Sequence, residues 1–310
     1  MMMRAACCLV GLAVLPAVRA QGQWTDPCDS ESMESVDHTH GTLATILSQH
    51  VSAGTQNGIN ANLVDYAALK ADPGTLRSYL SQLCHVDLNA LDDARKLALL
   101  INAYNAVMLA MIVAYDVQGS VWDVDNIFGI KFATVGGEKR SLDDLEHVMI
   151  RGRYGCDPMG SPSLSTRLGV SGRIHAAVNC ASLSCPDLYL EPFVHDRLDA
   201  QLTSATRAWL ADATKNPGLS GSELRLSKIF YWYGCDMALE SGTTIHDWVT
   251  QYSDMVVPPS ASITHVDYDW GLNAATNIET GYGLRASSGC RRHEAMGLMI
   301  SILLAVIYRQ

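Results

Sequence analysis

Apolar residues return at helical spacing over several stretches. Residues 42–51 begin with Thr42 as a cap and place Leu43, Ile46 and Leu47 on one face. Residues 54–62 read as a Gly/Asn loop. Asp72 caps a second helix, Pro73 occupies its first turn, and Leu76, Tyr79, Leu80 and Leu83 point inward. Asp92 opens the longest helix. From Leu97 to Tyr115 it carries no charge, and its polar groups are Asn102, Asn105 and tyrosine hydroxyls. A run of that length can span a bilayer. Two amides near its middle are costly in lipid, so it reads instead as a helix at the centre of a protein core. Asn102 and Asn105 lie three apart and share a face, either as clamps for neighbouring loops or as the polar floor of a pocket.

Period-two patterns mark the strands. Residues 127–135 read as a strand, Gly136 and Gly137 as a tight turn, and residues 138–140 as the returning strand. Ser141, Leu142, Asp143 and Asp144 make a capping-box-like start to a helix with Leu142, Leu145, Val148 and Met149 on its apolar face. Residues 152–172 form a long Gly/Pro/Ser loop, and 173–179 a strand. Residues 191–213 form a helix with Phe193, Leu198, Leu202, Ala205 and Trp209 buried. Leu224 and Leu226 lie on a strand that leads into the aromatic run Lys228, Ile229, Phe230, Tyr231 and Trp232. A short helix at 244–252 and a strand at 263–270 complete the pattern. The outline predicts one α+β domain over residues 42–275, helix-rich, with a small antiparallel sheet and a buried central helix at 97–115.

The ends change the picture. Residues 1–20 have a short positive start at Arg4, an apolar run too short to span a membrane, and small residues before a cut after Ala20, the pattern of a secretory signal peptide. A polar leader covers 21–41; His38 and His40 in it read as solvated rather than as metal ligands. Residues 276–310 form an extension whose small residues, polar spacer and apolar tail resemble a glycolipid-anchor signal, with a docked helix as the alternative. The chain is therefore expected to be secreted, or held at a surface where that tail is an anchor signal rather than a docked helix.

At 310 residues the composition is 48% apolar and 17% charged, with a net charge of −10. This is a globular composition, and it argues against a nucleic-acid surface. After removal of Cys7 and Cys8 with the signal, seven cysteines remain. In an oxidising compartment most should pair, and an odd number leaves one over.

The chemistry concentrates in residues 175–188, which run His-Ala-Ala-Val-Asn-Cys-Ala-Ser-Leu-Ser-Cys-Pro-Asp-Leu. In one reading Cys180 or Cys185 is a thiolate nucleophile with His175 or His147 as its base, oriented by Asn102, Asn105 or Asp269. That requires the chain to turn just past Asn179. In a second, Cys180 and Cys185 form a structural or redox-active disulfide, which also suits a non-catalytic binding domain. Zinc held by His175, Cys180 and Cys185 is disfavoured by the spacing and by the lack of a fourth ligand. Simple packing is the remaining alternative. Lys228 and Arg151 read as a strand-end lysine and an ordinary ion pair. No phosphate-binding glycine loop or nucleophile elbow occurs, so no cofactor or metal is expected. A small molecule or peptide is the expected partner.

Six segments in order resemble the family called domain of unknown function 547. They are Val64-Asp65-Tyr66; residues 100–106 around Asn102 and Asn105; residues 141–147 with Ile150 and Arg151; residues 175–188; residues 227–233; and residues 269–273. The resemblance covers about residues 62–273. It implies no settled reaction; a glutaredoxin-like neighbour in some members hints at thiol chemistry by association.

Overall fold

The computed structural model describes residues 24–29, 36–158 and 161–275. The signal, residues 21–23 and 30–35 of the leader, the C-terminal tail, Cys7, Cys8 and Cys290 lie outside them.

Around one buried helix, short helices and small sheets are arranged in the order α1 (Gly41–His50), β1 (Val51–Gln56), β2 (Ile59–Val64), α2 (Tyr66–Ala71), α3 (Gly74–Leu83) and α4 (Asp93–Ala114). β3 (Ala133–Val135), β4 (Glu138–Arg140), β5 (Arg153–Tyr154), β6 (Asp157–Pro158) and α5 (Leu164–Arg167) follow. The chain ends with α6 (Leu198–Ala211), β7 (Gly218–Ser220), β8 (Glu223–Leu226), α7 (Ile229–Ser241), α8 (Ile245–Tyr252) and β9 (Ser262–His265). This is a helix-rich α+β architecture.

α4 is the core. Asp92 caps it by accepting from the Arg95 amide, and every side chain from Leu97 to Ala114 is buried. The helix is long and apolar enough to cross a membrane, yet its apolar window is wholly enclosed by protein. The apolar face of α3 also falls where the spacing places it, with Leu76, Tyr79, Leu80 and Leu83 buried. Thr244 caps α8 through the Asp247 amide. The reciprocal box at Ser141 and Asp144 is present, each backbone amide donating to the other's side chain at 2.7 and 3.1 Å. It opens a π-helical turn over Asp144–Ile150, a form that frequently marks functional positions.

Several expectations are corrected. Residues 54–62 are not a loop but most of the β1–β2 hairpin, turned by Asn57 and Gly58 at φ 53° and 77°. Both left-handed positions suit Asn-Gly, the usual pair for a two-residue hairpin turn. α1 begins at Gly41 without a side-chain cap from Thr42. Residues 127–135 are a strand only from Ala133, because Ile127–Gly129 form a 3-10 turn. The long loop at 152–172 contains β5, β6 and α5. The helix expected over 191–213 starts at Leu198. The aromatic run after Lys228, for which the pattern gives no element, is the start of α7. The late strand ends at His265, and β9 pairs parallel with β8, so that sheet is mixed. Residues 173–179 are not a strand: Arg173–Ala176 form a 3-10 turn. Arg173 is held there by Glu240, Asp199 and Thr203, and α4 side chains, not a neighbouring strand, take up the backbone groups that follow.

Two disulfides join distant segments, Cys28 to Cys84 and Cys156 to Cys235. The first ties the leader to α3, where Trp24 stacks on Phe132. His40 is buried rather than solvated, its Nδ1 2.9 Å from the Tyr79 hydroxyl.

Candidate functional site

The turn that carries both free thiols is built from its own sequence. Asn179 bridges its two ends: Oδ1 accepts from the Ala181 amide at 2.9 Å, and Nδ2 donates to the Pro186 carbonyl at 2.7 Å. Between them Ala181 is left-handed at φ 60°, a strain of about 1–2 kcal/mol for a residue with a Cβ, which the surroundings must offset. They do so through the segment at 269–273. Leu183 and Ser184 donate their amides to the carbonyls of Gly271 and Asp269, and the Asn273 amide donates to the Ala181 carbonyl. The Ser184 hydroxyl accepts from the Asp269 amide at 2.8 Å. The far end of that segment is pinned in turn: the Tyr66 hydroxyl donates to Asn273 Oδ1 at 2.8 Å, and the Val64 amide donates to the Asn273 carbonyl.

α4 holds the turn from below. Asn105 Nδ2 donates to the Ala177 carbonyl at 2.9 Å, and its Oδ1 accepts from the Asn179 amide at 2.8 Å. Asn102 makes the same double clasp with Phe193, at 2.7 and 2.9 Å. Both amides are therefore clamps on backbone. The hydrogen bonds of both go to backbone and not to a sulfur.

Within this turn the sulfurs of Cys180 and Cys185 are 2.7 Å apart. Both stand as free cysteines, close enough for an S–S bond to form between them with little movement. The two thiols are unlike. Cys185 is buried, while Cys180 is partly open. Burial pushes the Cys180 thiol up, but hydrogen bonds from the Cys185 thiol, the Ser182 and Tyr268 hydroxyls and the Ser182 amide outweigh it and bring the pKa down to about 7. The hydroxyls stand 2.9 and 3.3 Å from the sulfur. Cys185 is driven well up by burial and by Cys180 beside it.

His175 belongs to a different cluster. It is 3% exposed. Its Nε2 is 2.9 Å from Asp236 Oδ2, its Nδ1 is 3.9 Å from Glu146 Oε1, and its ring stacks on Tyr233 at 4.2 Å. Arg151 Nε donates to the same Asp236 oxygen at 2.7 Å, and Arg153 Nε approaches the other at 3.4 Å. His147 turns to Arg151, with Nδ1 2.8 Å from the guanidinium. The partners of His175 are thus carboxylates and a tyrosine ring, not a sulfur. The Cys–His hydrogen bond expected of a hydrolytic dyad is not formed, because the 3-10 turn aims the imidazole at α7. Asp269, expected to orient that base, accepts instead from Gly271 and Asn57. Arg151 makes no ordinary surface pair: it and Asp236 are each 1% exposed. Burial lowers the pKa of His175 and raises that of Glu146. Asp236 is held low: burial pushes it up, but His175 and Arg151 outweigh it.

Tyr268 and Asp236 are the site residues that periodicity missed. An acid within the apolar segment 229–239 was the available signal for Asp236. Tyr268, between two aspartates near Trp270, offered none beyond its place in a family segment.

A family model described as "Protein of unknown function, DUF547" matches residues 88–210. That stretch belongs to the DUF547 family. Comparisons with curated proteins and with solved structures returned no match. The DUF547 stretch contains α4, the π-helical turn, His175 and both free thiols, while Asp236, Tyr268 and Asn273 reach the site from beyond it. Two cavities have linings that include neither sulfur. One of about 750 Å³ is bordered by Lys96, Arg140 and Arg167, and one of about 460 Å³ by Tyr189, Trp209 and Lys215.

Proposed function

We propose that the DUF547 domain carries a dithiol–disulfide exchange site, with Cys180 as the attacking sulfur and Cys185 as the resolving one. The contact between a partly open thiol and a buried one supports this reading over hydrolysis, which would need an imidazole on the sulfur. The Cys180 thiolate attacks one sulfur of a substrate disulfide. A mixed disulfide forms, the substrate S–S bond breaks, and the departing thiolate takes a proton from solvent. Cys185 then loses its proton and attacks the Cys180 sulfur. The mixed disulfide breaks, the Cys180–Cys185 bond forms, and the second substrate thiol leaves. Two electrons pass from the dithiol to the substrate, and the reverse sequence oxidises a substrate dithiol. Tyr268 and Ser182 stabilise the attacking thiolate. No cofactor is required.

The partner in this reading is a small molecule or peptide bearing a disulfide. The two disulfides and the signal-like residues 1–20 support a secreted protein, with the tail at 276–310 as the proposed membrane attachment.

The test equilibrates the full chain with glutathione buffers from about −120 to −300 mV and reads the state of Cys180 and Cys185 by mass spectrometry. An internal disulfide is expected to form within that range. Cys185→Ser should trap glutathione on Cys180, and Cys180→Ser should trap none. Two thiols that stay reduced throughout, or a Cys180 inert in Cys185→Ser, would overturn the assignment.

A further inference from the structure

The surface around Cys180 is unusual in both shape and charge. Tyr268, which touches the sulfur, packs against Trp232 at 5.0 Å and Trp270 at 4.4 Å, and Trp270 packs against the exposed Trp122 at 5.0 Å. Four half-exposed or exposed rings therefore run outward from the thiol. The segments that supply them carry acids and no bases. Residues 119–129 contain Asp123 and Asp125; residues 266–273 contain Asp267 and Asp269; none of the four segments 119–129, 179–187, 229–236 and 266–273 holds a Lys or Arg. Asp123, Asp125 and Asp267 are exposed, and Asp269 is half-buried. The neighbouring β1–β2 hairpin, whose Asn57 reaches Asp269, is uncharged over residues 51–64. Lys228, one residue before α7, and Lys131, two residues past the first segment and paired with Asp144, are the cations that flank these segments along the chain.

We propose that this aromatic, acidic rim selects the disulfide that reaches Cys180: one set in an apolar, positively charged polypeptide segment, in preference to a negatively charged small-molecule disulfide such as oxidised glutathione. The proposal rests on the exchange reading. Ring faces accept aliphatic and aromatic side chains and attract Lys and Arg. Clustered carboxylates raise the local concentration of cations and repel anions, an effect that salt removes.

The experiment measures the rate at which Cys180 in the full chain reacts with cystamine, 2-hydroxyethyl disulfide and dithiodiglycolate, which are dicationic, neutral and dianionic. Each rate is divided by that of the same disulfide with a free cysteine peptide. At low salt, about 20 mM, cystamine should be favoured over dithiodiglycolate by about tenfold or more, and the ratio should fall towards one at about 500 mM. The double variant Asp125→Asn/Asp267→Asn, at two exposed positions outside the thiol contacts, should at least halve the low-salt ratio. Two disulfide-bonded peptides differing only in Lys against Glu should follow the same order. A ratio near one at low salt, or faster reaction with the dianion, overturns the selectivity and leaves the exchange site standing. Silence of Cys180 towards all three disulfides overturns both.

Discussion

Asn105→Ala separates the clamp from the helix that carries it. The substitution leaves the helix propensity of α4 intact or improved by about 0.5 kcal/mol, so any loss comes from the clasp. Two groups lose their partners, the Ala177 carbonyl and the Asn179 amide, both on buried residues. Each unsatisfied buried group costs about 1–3 kcal/mol, which places the net destabilisation at about 3 kcal/mol. At about 2–4 °C per kcal/mol for a domain of this size, the melting temperature should fall by about 6–12 °C. Urea unfolding followed by tryptophan fluorescence, with both disulfides intact, measures the first figure. Iodoacetamide labelling of Cys180 against pH, read by mass spectrometry, measures the effect on the site. Asn102→Ala is the control, because it removes an equivalent clasp on the backbone of Phe193, outside the 179–186 turn. Both variants should lose similar stability, and only Asn105→Ala should move the Cys180 profile upward. A loss below about 1 kcal/mol, or equal effects of the two variants on the thiol, would refute the reasoning.

Labelling of Cys180 in the unaltered protein should have a midpoint near pH 7. Tyr268→Phe, which deletes one donor to the thiolate, should raise it by about one unit; an unmoved midpoint would remove Tyr268 from the site. Asp236→Asn leaves Arg151 and Arg153 without their buried anion and should cost about 3–5 kcal/mol in urea unfolding, whereas a change under about 1 kcal/mol would mean that the cluster is not held by charge. Burial holds His40 and His147 neutral, with pKa values brought down to about 4 from 6.5. Unfolding therefore takes up protons below about pH 6.5, and stability should fall as pH drops from there towards 4, by up to about 3 kcal/mol for each group. His40→Gln should remove about half of that slope, and a flat stability between pH 6.5 and 4.5 would contradict it.

The hairpin and the thiol turn show where local reading succeeds and fails. Asn57 and Gly58 carry a strong hairpin signal, yet the polar, glycine-containing β1–β2 pair lacks the apolar alternation that marks a half-buried strand. Residues 173–179 have the opposite fault. Their alternation reads as a strand, but every side chain from Arg173 to Asn179 is buried, so periodicity carries no information about which face is which. The double clasp of Asn105 on Ala177 and Asn179 then supplies the hydrogen bonds that a neighbouring strand would have offered.

What the chain determines by itself is whatever depends on neighbours a few residues apart: the uncharged stretch of α4 from Leu97, its Asp92 cap and the Ser141–Asp144 box. What only the tertiary structure decides is which distant groups meet. His175 pairs with Asp236, sixty-one residues away, rather than with a sulfur five residues away, and Tyr268 reaches Cys180 across eighty-eight. A buried ion or thiol takes the partner that best offsets its desolvation, and the packing of α7 and the 269–273 segment against α4 and the thiol turn decides which partners are within reach.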